Sequence, residues 1–242
     1  MRFTKMHGAG NDYIYIDCFT ENVENPKDLS KTLSEKHFSI GADGIVLIKP
    51  SPVADCFMDI YNADGSRAEM CGNAIRCVAK YIYDNKKKKP VIRIDTLSGI
   101  KLVEIFTEKV IATGGKVNMG KPIFNGHQIP TRYGDSIVKN KIINIENNDY
   151  EITCVSMGNP HCVVFHEDIH KLDLEKIGPL FENHEMFPER INTEFVEVID
   201  KDNLKMRVWE RGSGETLACG TGACAVAVAS VVNGFCEKNQ DI

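Results

Sequence analysis

Short runs of β-branched and aromatic residues, each closed by turn residues, recur along both halves of the chain. Such runs are typical of β-strands that are at least half buried. The pattern predicts strands at 13–17, 45–49, 57–61, 91–95 and 101–106, and again at 142–145, 151–155, 161–165, 194–199 and 204–209. Strands are therefore expected to dominate both halves.

Two kinds of helix are predicted between these strands. Residues 28–37 and 173–183 are polar with a few apolar positions one turn apart, as in helices that lie on a surface. Residues 72–84 and 220–233 are rich in Ala, Val, Ile and Cys on most faces. Helices of this second kind are buried.

The linking segments predict two domains. Gly and Pro are concentrated in the stretch TGGKVNMGKP at 113–122, a composition expected where one domain leads into the next. We place the boundary near Lys116, which gives domains at 1–116 and 117–242. With 43% hydrophobic and 26% charged residues, each half can bury a core of its own.

Charge and hydropathy exclude two classes of partner. The 29 basic and 34 acidic side chains give a net charge of −5, which disfavours binding to a phosphate backbone. The basic run Lys86–Lys89 is interpreted as a solvated turn after a helix rather than as a nucleic-acid site. The longest apolar stretch, 222–232, is too short to cross a bilayer, and the amino terminus does not resemble a signal peptide. A cytoplasmic protein is expected.

Nine cysteines are many for this length, yet the number is odd and no C-x-x-C occurs. The spacings do not indicate a secreted disulfide framework, so we expect mostly reduced thiols. No His cluster accompanies the near pairs to complete a tetrahedral zinc site, and no metal is expected.

An internal repeat singles out two of these cysteines. Both buried helices are preceded by Cys-Gly and a small polar residue, and subtracting 71 from 219 gives an offset of 148. The same offset aligns Gly10-Asn11 with Gly158-Asn159, Met58 with Met206, Tyr61 with Trp209 and Asn62 with Glu210. Agreement over strand, loop and helix start predicts two copies of one fold, related by a pseudo-twofold axis, with equivalent features facing each other across a cleft.

A cysteine just before a helix lies where backbone N–H groups lack partners, which favours the thiolate and predicts a lowered pKa for Cys71 and Cys219. Gly72 and Gly220 let a ligand carboxylate approach the same donors. Inverting a stereocentre requires a base on one face of a carbon and an acid on the other, which two opposed thiols supply. No lysine context typical of pyridoxal phosphate is present, so a cofactor-free racemase or epimerase is predicted.

Several motifs, in order along most of the chain, resemble the diaminopimelate epimerase family. They are Lys5-Met-His-Gly-Ala-Gly-Asn-Asp12, Gly41-Ala-Asp-Gly44, Asn62-Ala-Asp-Gly-Ser66, Met70-Cys-Gly-Asn73, Gly158-Asn-Pro-His161, Glu210-Arg-Gly212 and Ala218-Cys-Gly-Thr-Gly222. The resemblance implies a pyridoxal-independent isomerase that interconverts LL- and meso-2,6-diaminopimelate, on the route to lysine and peptidoglycan. It implies an α/β (α+β) fold of two pseudo-symmetric domains, each a strongly curved, mainly antiparallel sheet wrapped around a central helix.

The resemblance also implies roles for individual residues. Cys71 and Cys219 match the catalytic acid and base, and His161 and Glu210 match neighbours that adjust the thiols. Residues matching those that grip the non-reacting end of the substrate are Asn11, Asn62, Asn159, Asn192 and Arg211. Residues matching the helix-start donors to the reacting carboxylate are Gly72, Asn73, Gly220 and Thr221, and Glu210 is counted among the substrate contacts as well.

The chain departs from the family pattern in three places. Ala74 and Ile75 stand where the family often has Gly and Ala, and Gly44 stands where some members carry Gln. Relatives continue beyond the second buried helix into further strands, so the second domain is expected to lack its last strands.

Other readings stay open from the residues alone. A proline racemase of the same fold would share the thiol pair, but typically has His where this chain has Asn73. A Cys-His hydrolase would leave the second symmetric thiol unexplained, and a non-catalytic homologue that binds a small molecule would keep the fold. His161 could be an ordinary core histidine, and the asparagines turn residues. The expected partner is a small-molecule substrate, and assembly as a homodimer stays open.

Overall fold

The structure, a computed structural model, describes the whole chain from Met1 to Ile242. It divides into two compact units, Met1–Gly120 and Lys121–Ile242. The division lies beyond Lys116, because strand β8 (Ile111–Asn118) continues past that residue and pairs with β7 (Lys101–Glu108). No helix has the length and apolar character needed to span a membrane.

The first unit is one curved sheet with a helix on each side. Its further elements are β1 (Thr4–Gly8), β2 (Asn11–Asp17), α1 (Pro26–Ser34), β3 (Gly44–Lys49), β4 (Cys56–Asn62), β5 (Arg67–Ala68), α2 (Gly72–Asn85) and β6 (Val91–Asp95). The strand order is β1-β2-β3-β4-β6-β7-β8, and β5 pairs with β4. Only the β2–β3 and β4–β6 pairs are parallel, so the sheet is mainly antiparallel.

Alternation along β2 explains why this sheet is buried on both faces. Tyr13 and Tyr15 point into the core around α2, while Ile14 and Ile16 point into the core beside α1. Successive side chains of a strand lie on opposite faces, so a continuous apolar run is what a sheet covered on both sides requires. Helix α2 is thus held centrally, and its amino-terminal end is placed by the sheet.

The second unit repeats this arrangement. Its elements are β9 (Lys141–Ile145), β10 (Asn148–Ser156), β11 (Pro160–Phe165), a 3₁₀ turn (Ile169–Lys171), α3 (Leu174–Glu182), β12 (Asn192–Val198), β13 (Leu204–Glu210), β14 (Gly214–Thr216) and α4 (Gly220–Asn233). The sheet order is β14-β13-β12-β11-β10-β9, with β11 and β12 parallel. Residues 234–242 after α4 form no strand.

The predicted repeat is visible in the registers of the two sheets. Ile45 pairs with both Ile14 and Tyr61 in the first unit. Adding 148 to each number gives the pairs that Thr193 makes with Cys162 and Trp209 in the second unit. Helices α2 and α4 begin and end at equivalent residues under the same offset of 148, as do α1 and α3. The predicted fold class, two similar domains with a sheet curved around a central helix, is confirmed.

The predicted strands are found, with corrections to the local structure. Strands β1, β5 and β14 are additional to the prediction, and the stretch expected to be a linker contains most of β8. Helix α1 ends at Ser34 rather than at 37, because Glu35 has extended backbone angles, φ −63° and ψ 115°.

Candidate active site

The first predicted thiol lies at the start of α2. Cys71 is the N-cap residue of this helix, and its sulfur accepts a hydrogen bond from the backbone N–H of Ala74 at 3.4 Å. Because the first N–H groups of a helix have no partner within the helix, the cap places sulfur at the positive end of the helix dipole. The residue is only half buried.

Asn11 joins this thiol to a carboxylate. Its side-chain oxygen accepts a hydrogen bond from the Cys71 thiol at 3.3 Å, and its amide nitrogen donates to Asp43 at 2.8 Å. Asp43 also accepts from the backbone N–H of Asp12 at 3.0 Å. The carboxylate therefore fixes which end of the Asn11 amide faces the sulfur.

The other predicted residues of the first unit lie around the same end of the sheet. Gly72 and Asn73 form the buried first turn of α2, where Asn73 accepts from Arg76 at 2.7 Å. Asn62 ends β4, donates to Ser66 at 3.1 Å and accepts from the Tyr13 hydroxyl at 3.4 Å.

The second predicted thiol has the same position on α4. Cys219 is the N-cap residue of this helix, and its sulfur accepts from the backbone N–H of Gly222 at 3.3 Å. Gly220 begins the helix, and the Thr221 hydroxyl lies 3.3 Å from the sulfur. Unlike Cys71, Cys219 is buried, with 6% of its surface exposed.

Burial of Cys219 changes its pKa in the direction opposite to the one predicted from the helix start. The pKa of the Cys219 thiol lies well above its usual value, because burial disfavours the thiolate and the nearby Glu210 and Glu194 carboxylates repel it. The hydrogen bonds from Thr221 and Gly222 act in the opposite direction without prevailing. The predicted lowering of the pKa at this helix start is therefore wrong for Cys219, since a helix dipole is worth less than the loss of water.

Glu210 lies directly beside this sulfur. It ends β13, accepts a hydrogen bond from the Thr216 hydroxyl, and receives a further one from the Cys219 thiol. Burial raises the pKa of the Glu210 carboxyl, and the hydrogen bonds from Thr216 and Cys219 oppose this. A carboxylate and a thiol that share a hydrogen bond can exchange a proton.

His161 reaches the thiol through a chain of side chains. It is fully buried, and its Nε2 lies 3.0 Å from the Asn159 side-chain oxygen. The Asn159 amide nitrogen donates to the Thr221 hydroxyl at 3.1 Å, and that hydroxyl contacts Cys219. The other ring nitrogen, Nδ1, lies 2.7 Å from Glu194, which is buried too.

Asn192, the first residue of β12, contacts Arg211, which directly follows β13. The Asn192 amide donates to the Pro160 carbonyl at 2.8 Å and accepts from the Arg211 backbone N–H at 2.9 Å. The Arg211 guanidinium donates to the Glu189 carbonyl at 3.1 Å, and it forms no ion pair with a carboxylate. Its remaining donors are thus available to an anionic ligand.

Sequence reasoning missed two supporting carboxylates, Asp43 and Glu194. Asp43 stands in the motif Gly41-Ala-Asp-Gly44, which contributes to the resemblance but from which no role was assigned to the carboxylate. Glu194 occupies a position in a predicted buried strand, and a charged residue there is an available signal, since buried carboxylates are rare without a role. No group of three or more His, Cys, Asp or Glu side chains could hold a metal ion.

A family model described as diaminopimelate epimerase matches residues 3–125 and 153–242. A diaminopimelate epimerase of Acetivibrio thermocellus is 56% identical over 243 residues, covering 100% of this chain and 87% of that protein. One from Methanococcus maripaludis is 56% identical with 100% and 88% covered, and one from Desulfovibrio desulfuricans is 50% identical with 100% and 87% covered.

Solved structures share the fold at low sequence identity. A probable proline racemase of Agrobacterium radiobacter K84 superposes with a TM-score of 0.72 at 11% identity, covering 98% of this chain and 79% of that one. A PhzF-family phenazine biosynthesis protein of Bacillus anthracis gives 0.66 at 16% identity, with 100% and 83% covered. These likenesses establish the two-domain fold alone.

Proposed function

We propose, because the chain belongs to the diaminopimelate epimerase family, that it is an isomerase that interconverts LL- and meso-2,6-diaminopimelate without a bound cofactor. The observation that carries this proposal is that Cys71 and Cys219 cap equivalent helices with equivalent sulfur–backbone hydrogen bonds. Supply of lysine and of peptidoglycan precursor follows from that reaction. The nine free thiols support a reducing location, and we place the enzyme in the cytoplasm.

Epimerisation needs a base on one face of the α-carbon and an acid on the other. We assign the two roles to Cys71 and Cys219. One sulfur, as thiolate, takes the α-proton, and the other thiol gives its proton to the opposite face, so the two sulfurs exchange protonation states in each turnover. The raised pKa of Cys219 supports its role as the acid in the resting enzyme.

The helix starts supply the second requirement, stabilisation of the carbanion. Removing the α-proton moves charge onto the adjoining carboxylate, and backbone N–H groups at a helix start bind such an oxyanion. We assign this task to the first turns of α2 and α4, with Gly72, Asn73, Gly220 and Thr221. Asn amides, which both donate and accept, and the Arg211 guanidinium suit the amino and carboxylate groups of the distant end.

Incubation of LL-diaminopimelate with the enzyme in heavy water tests the function. We expect formation of the meso isomer with one deuterium at the inverted α-carbon, because the proton that arrives comes from a thiol in exchange with solvent. Chiral chromatography and mass spectrometry measure both.

Cys71→Ala serves as the variant for this test, and we expect the rate to fall about 10²- to 10⁴-fold, the usual contribution of an acid or base. Cys77→Ala, which replaces a buried thiol further along the same helix, serves as the control. No isomer formation by the unaltered enzyme, or an unchanged rate for Cys71→Ala, would refute the proposal.

A further inference from the structure

A buried acid–histidine pair lies under helix α4. Glu194 and His161 have no exposed surface, and their Oε1 and Nδ1 atoms are 2.7 Å apart. They stand on the adjacent strands β12 and β11. Burying two ionisable groups costs free energy that their mutual attraction does not fully return, so their presence needs a reason.

The fold itself does not require this pair. Subtracting 148 gives Val46 and Tyr13 as the equivalent residues of the first unit. Both belong to the apolar core around α2. An aliphatic and an aromatic side chain thus fill the same two positions beneath the equivalent helix, and stability alone does not account for Glu194.

The hydrogen-bond donors among Asn159, His161 and Thr221 show which atoms carry hydrogens. The Asn159 amide nitrogen donates to the Thr221 hydroxyl, so its oxygen is the atom that faces His161. An amide oxygen only accepts, which means that Nε2 of His161 carries a hydrogen and donates. The 2.7 Å contact between Nδ1 of His161 and Oε1 of Glu194 then contains one further hydrogen.

The same reasoning applies to the hydrogen bond between Thr221 and the Cys219 thiol. The Thr221 oxygen already accepts from Asn159, so its own hydrogen is free to point at the Cys219 sulfur 3.3 Å away. A hydroxyl that donates to sulfur favours the thiolate over the thiol. If the Asn159 amide turned over, Thr221 would have to donate to it instead and the sulfur would lose this donor.

We propose that Glu194 is a positioning residue that, through His161, fixes the orientation of the Asn159 amide and thereby aims the Thr221 hydroxyl at Cys219. The significance of that hydroxyl for turnover depends on the function proposed above for Cys219. In the first unit Asp43 holds the equivalent amide, Asn11, directly. Glu194 and His161 together perform for Asn159 what one carboxylate performs for Asn11.

The surroundings of the pair contain further titratable groups. Glu210 and His161 interact with each other, and Glu210 and Glu194 both face Cys219. Cys162, which is also buried and lies next to Cys154, faces Glu194 from strand β11. The second oxygen of Glu194, Oε2, has no hydrogen-bond partner, so the contact with His161 is what holds the carboxylate.

Two substitutions separate positioning from charge. Glu194→Gln removes the charge, but the introduced amide can still bond Nδ1 of His161. Glu194→Val introduces the residue that the first unit carries at this place and removes both charge and hydrogen bond. We expect kcat to fall about 10- to 100-fold in Glu194→Val, the range found for groups that orient metal-binding histidines, and no more than about threefold in Glu194→Gln. Equal losses in the two variants, or no loss in either, would overturn the proposal.

Nitrogen NMR of His161 supplies a readout that a purely structural role would not move. We expect a protonated Nε2 in the unaltered enzyme and in Glu194→Gln, and a shift of His161 between tautomers in Glu194→Val. Nε2 without a proton in the unaltered enzyme would contradict the assigned amide orientation. If Glu194→Val does not fold, the His161 spectrum of the unaltered enzyme and the kcat of Glu194→Gln still test the proposal.

Asp55→Asn is the control, because Asp55 is a buried carboxylate of the first unit that contacts lysines and none of the site residues. We expect its kcat to equal that of the unaltered enzyme. The two proposals fail in different measurements. If the enzyme does not epimerise diaminopimelate, the proposed function fails, and the NMR spectrum of His161 still tests the positioning role of Glu194.

Discussion

The two thiols differ in environment although they share a position. Cys71 is half buried and donates to an amide oxygen, whereas Cys219 is buried beside two carboxylates. Repulsion by a carboxylate raises the pKa of a thiol in the same way as burial does. The protonation state of each sulfur is thus set by its neighbours and not by the helix start alone.

Neutralising Glu210 tests this account. We expect Glu210→Gln to lower the pKa of the Cys219 thiol, because one of the two carboxylates that oppose the thiolate is gone. The titration midpoint, followed by the ultraviolet absorbance of the thiolate against a Cys219→Ser background, should move to lower pH. Glu215→Gln, an exposed change on the neighbouring strand β14, should leave the midpoint in place. A midpoint that stays fixed or rises in Glu210→Gln would contradict the electrostatic explanation.

Residue types and a constant offset singled out the two thiols, whereas the asparagines followed only from the resemblance to the family. The supporting carboxylates were not found, because Asp43 lies 32 residues from Asn11 and Glu194 lies 33 residues from His161. Only strand pairing brings such residues together. The direction of the Cys219 pKa was predicted wrongly for a related reason, since burial depends on the completed fold.

At the scale of elements, the packing of α3 on the sheet depends on one glycine. A Cβ atom on Gly178 would lie 2.3–2.6 Å from the Trp209 ring. Ala in place of a helical Gly ordinarily gains about 1 kcal/mol of helix stability, but contacts this short require the buried ring and the helix to move apart. The close packing of α3 against β13 therefore requires glycine at position 178.

We expect Gly178→Ala to lower the free energy of unfolding by about 1–3 kcal/mol, as overpacking does. Gly114→Ala is the matched control, because its Cβ would lie an ordinary 3.5 Å from Phe106. Urea denaturation of both variants measures the difference. Equal stability of Gly178→Ala and the parent would mean that α3 shifts freely on the sheet.

Strand β8 shows where the prediction of elements from local composition fails. Gly114 and Gly115 suggested a linker, yet both lie in a strand paired with β7. A side chain at Gly115 would approach Val103 to 2.9 Å, so glycine here serves close packing. The tertiary contact overrides the local preference, which the sequence pattern of β8 alone does not reveal.

At the scale of the whole chain, the two units share connectivity but differ after their central helices. Helix α2 is followed by β6, β7 and β8, which extend the first sheet, whereas α4 is followed by residues that form no strand. The core of the first unit includes Ile92, Ile94 and Val103 from those added strands. The periodicity of apolar residues predicted this shared part well, since it depends on buried strands and helices that repeat at one offset.

The lysines after α2 form ion pairs with distant parts of the first unit. Lys87 and Lys89 lie 3.2 and 2.6 Å from Asp55, and Lys86 lies 2.7 Å from Asp17. The run predicted to be a solvated turn is thus largely engaged in ion pairs within the first unit. Burial tends to raise the pKa of the Asp55 carboxyl, but hydrogen bonds from Lys89, the Arg93 backbone and Lys87 lower it below its usual value.

A lowered carboxyl pKa stabilises the folded state above the unfolded pKa of about 4, and this contribution is lost as the pH falls through the folded value. We therefore expect Asp55→Asn to lower the unfolding free energy by about 1 kcal/mol at neutral pH, a value kept small because the lysines are half exposed. The difference from the parent should vanish in acid. Denaturation measured across this pH range checks it, and a constant difference would indicate lost packing instead.

The unlike supports of Asn11 and Asn159 have a consequence for how this chain can change. The two halves hold their amides differently. A carboxylate contacts the Asn11 amide, whereas a histidine backed by a carboxylate contacts the Asn159 amide. Replacing the residues around one amide by those of the other half would remove a side-chain contact of that amide. Substitutions that make the halves more alike should therefore be tolerated in the strands and helices that only build the sheet, and selected against around the two amides.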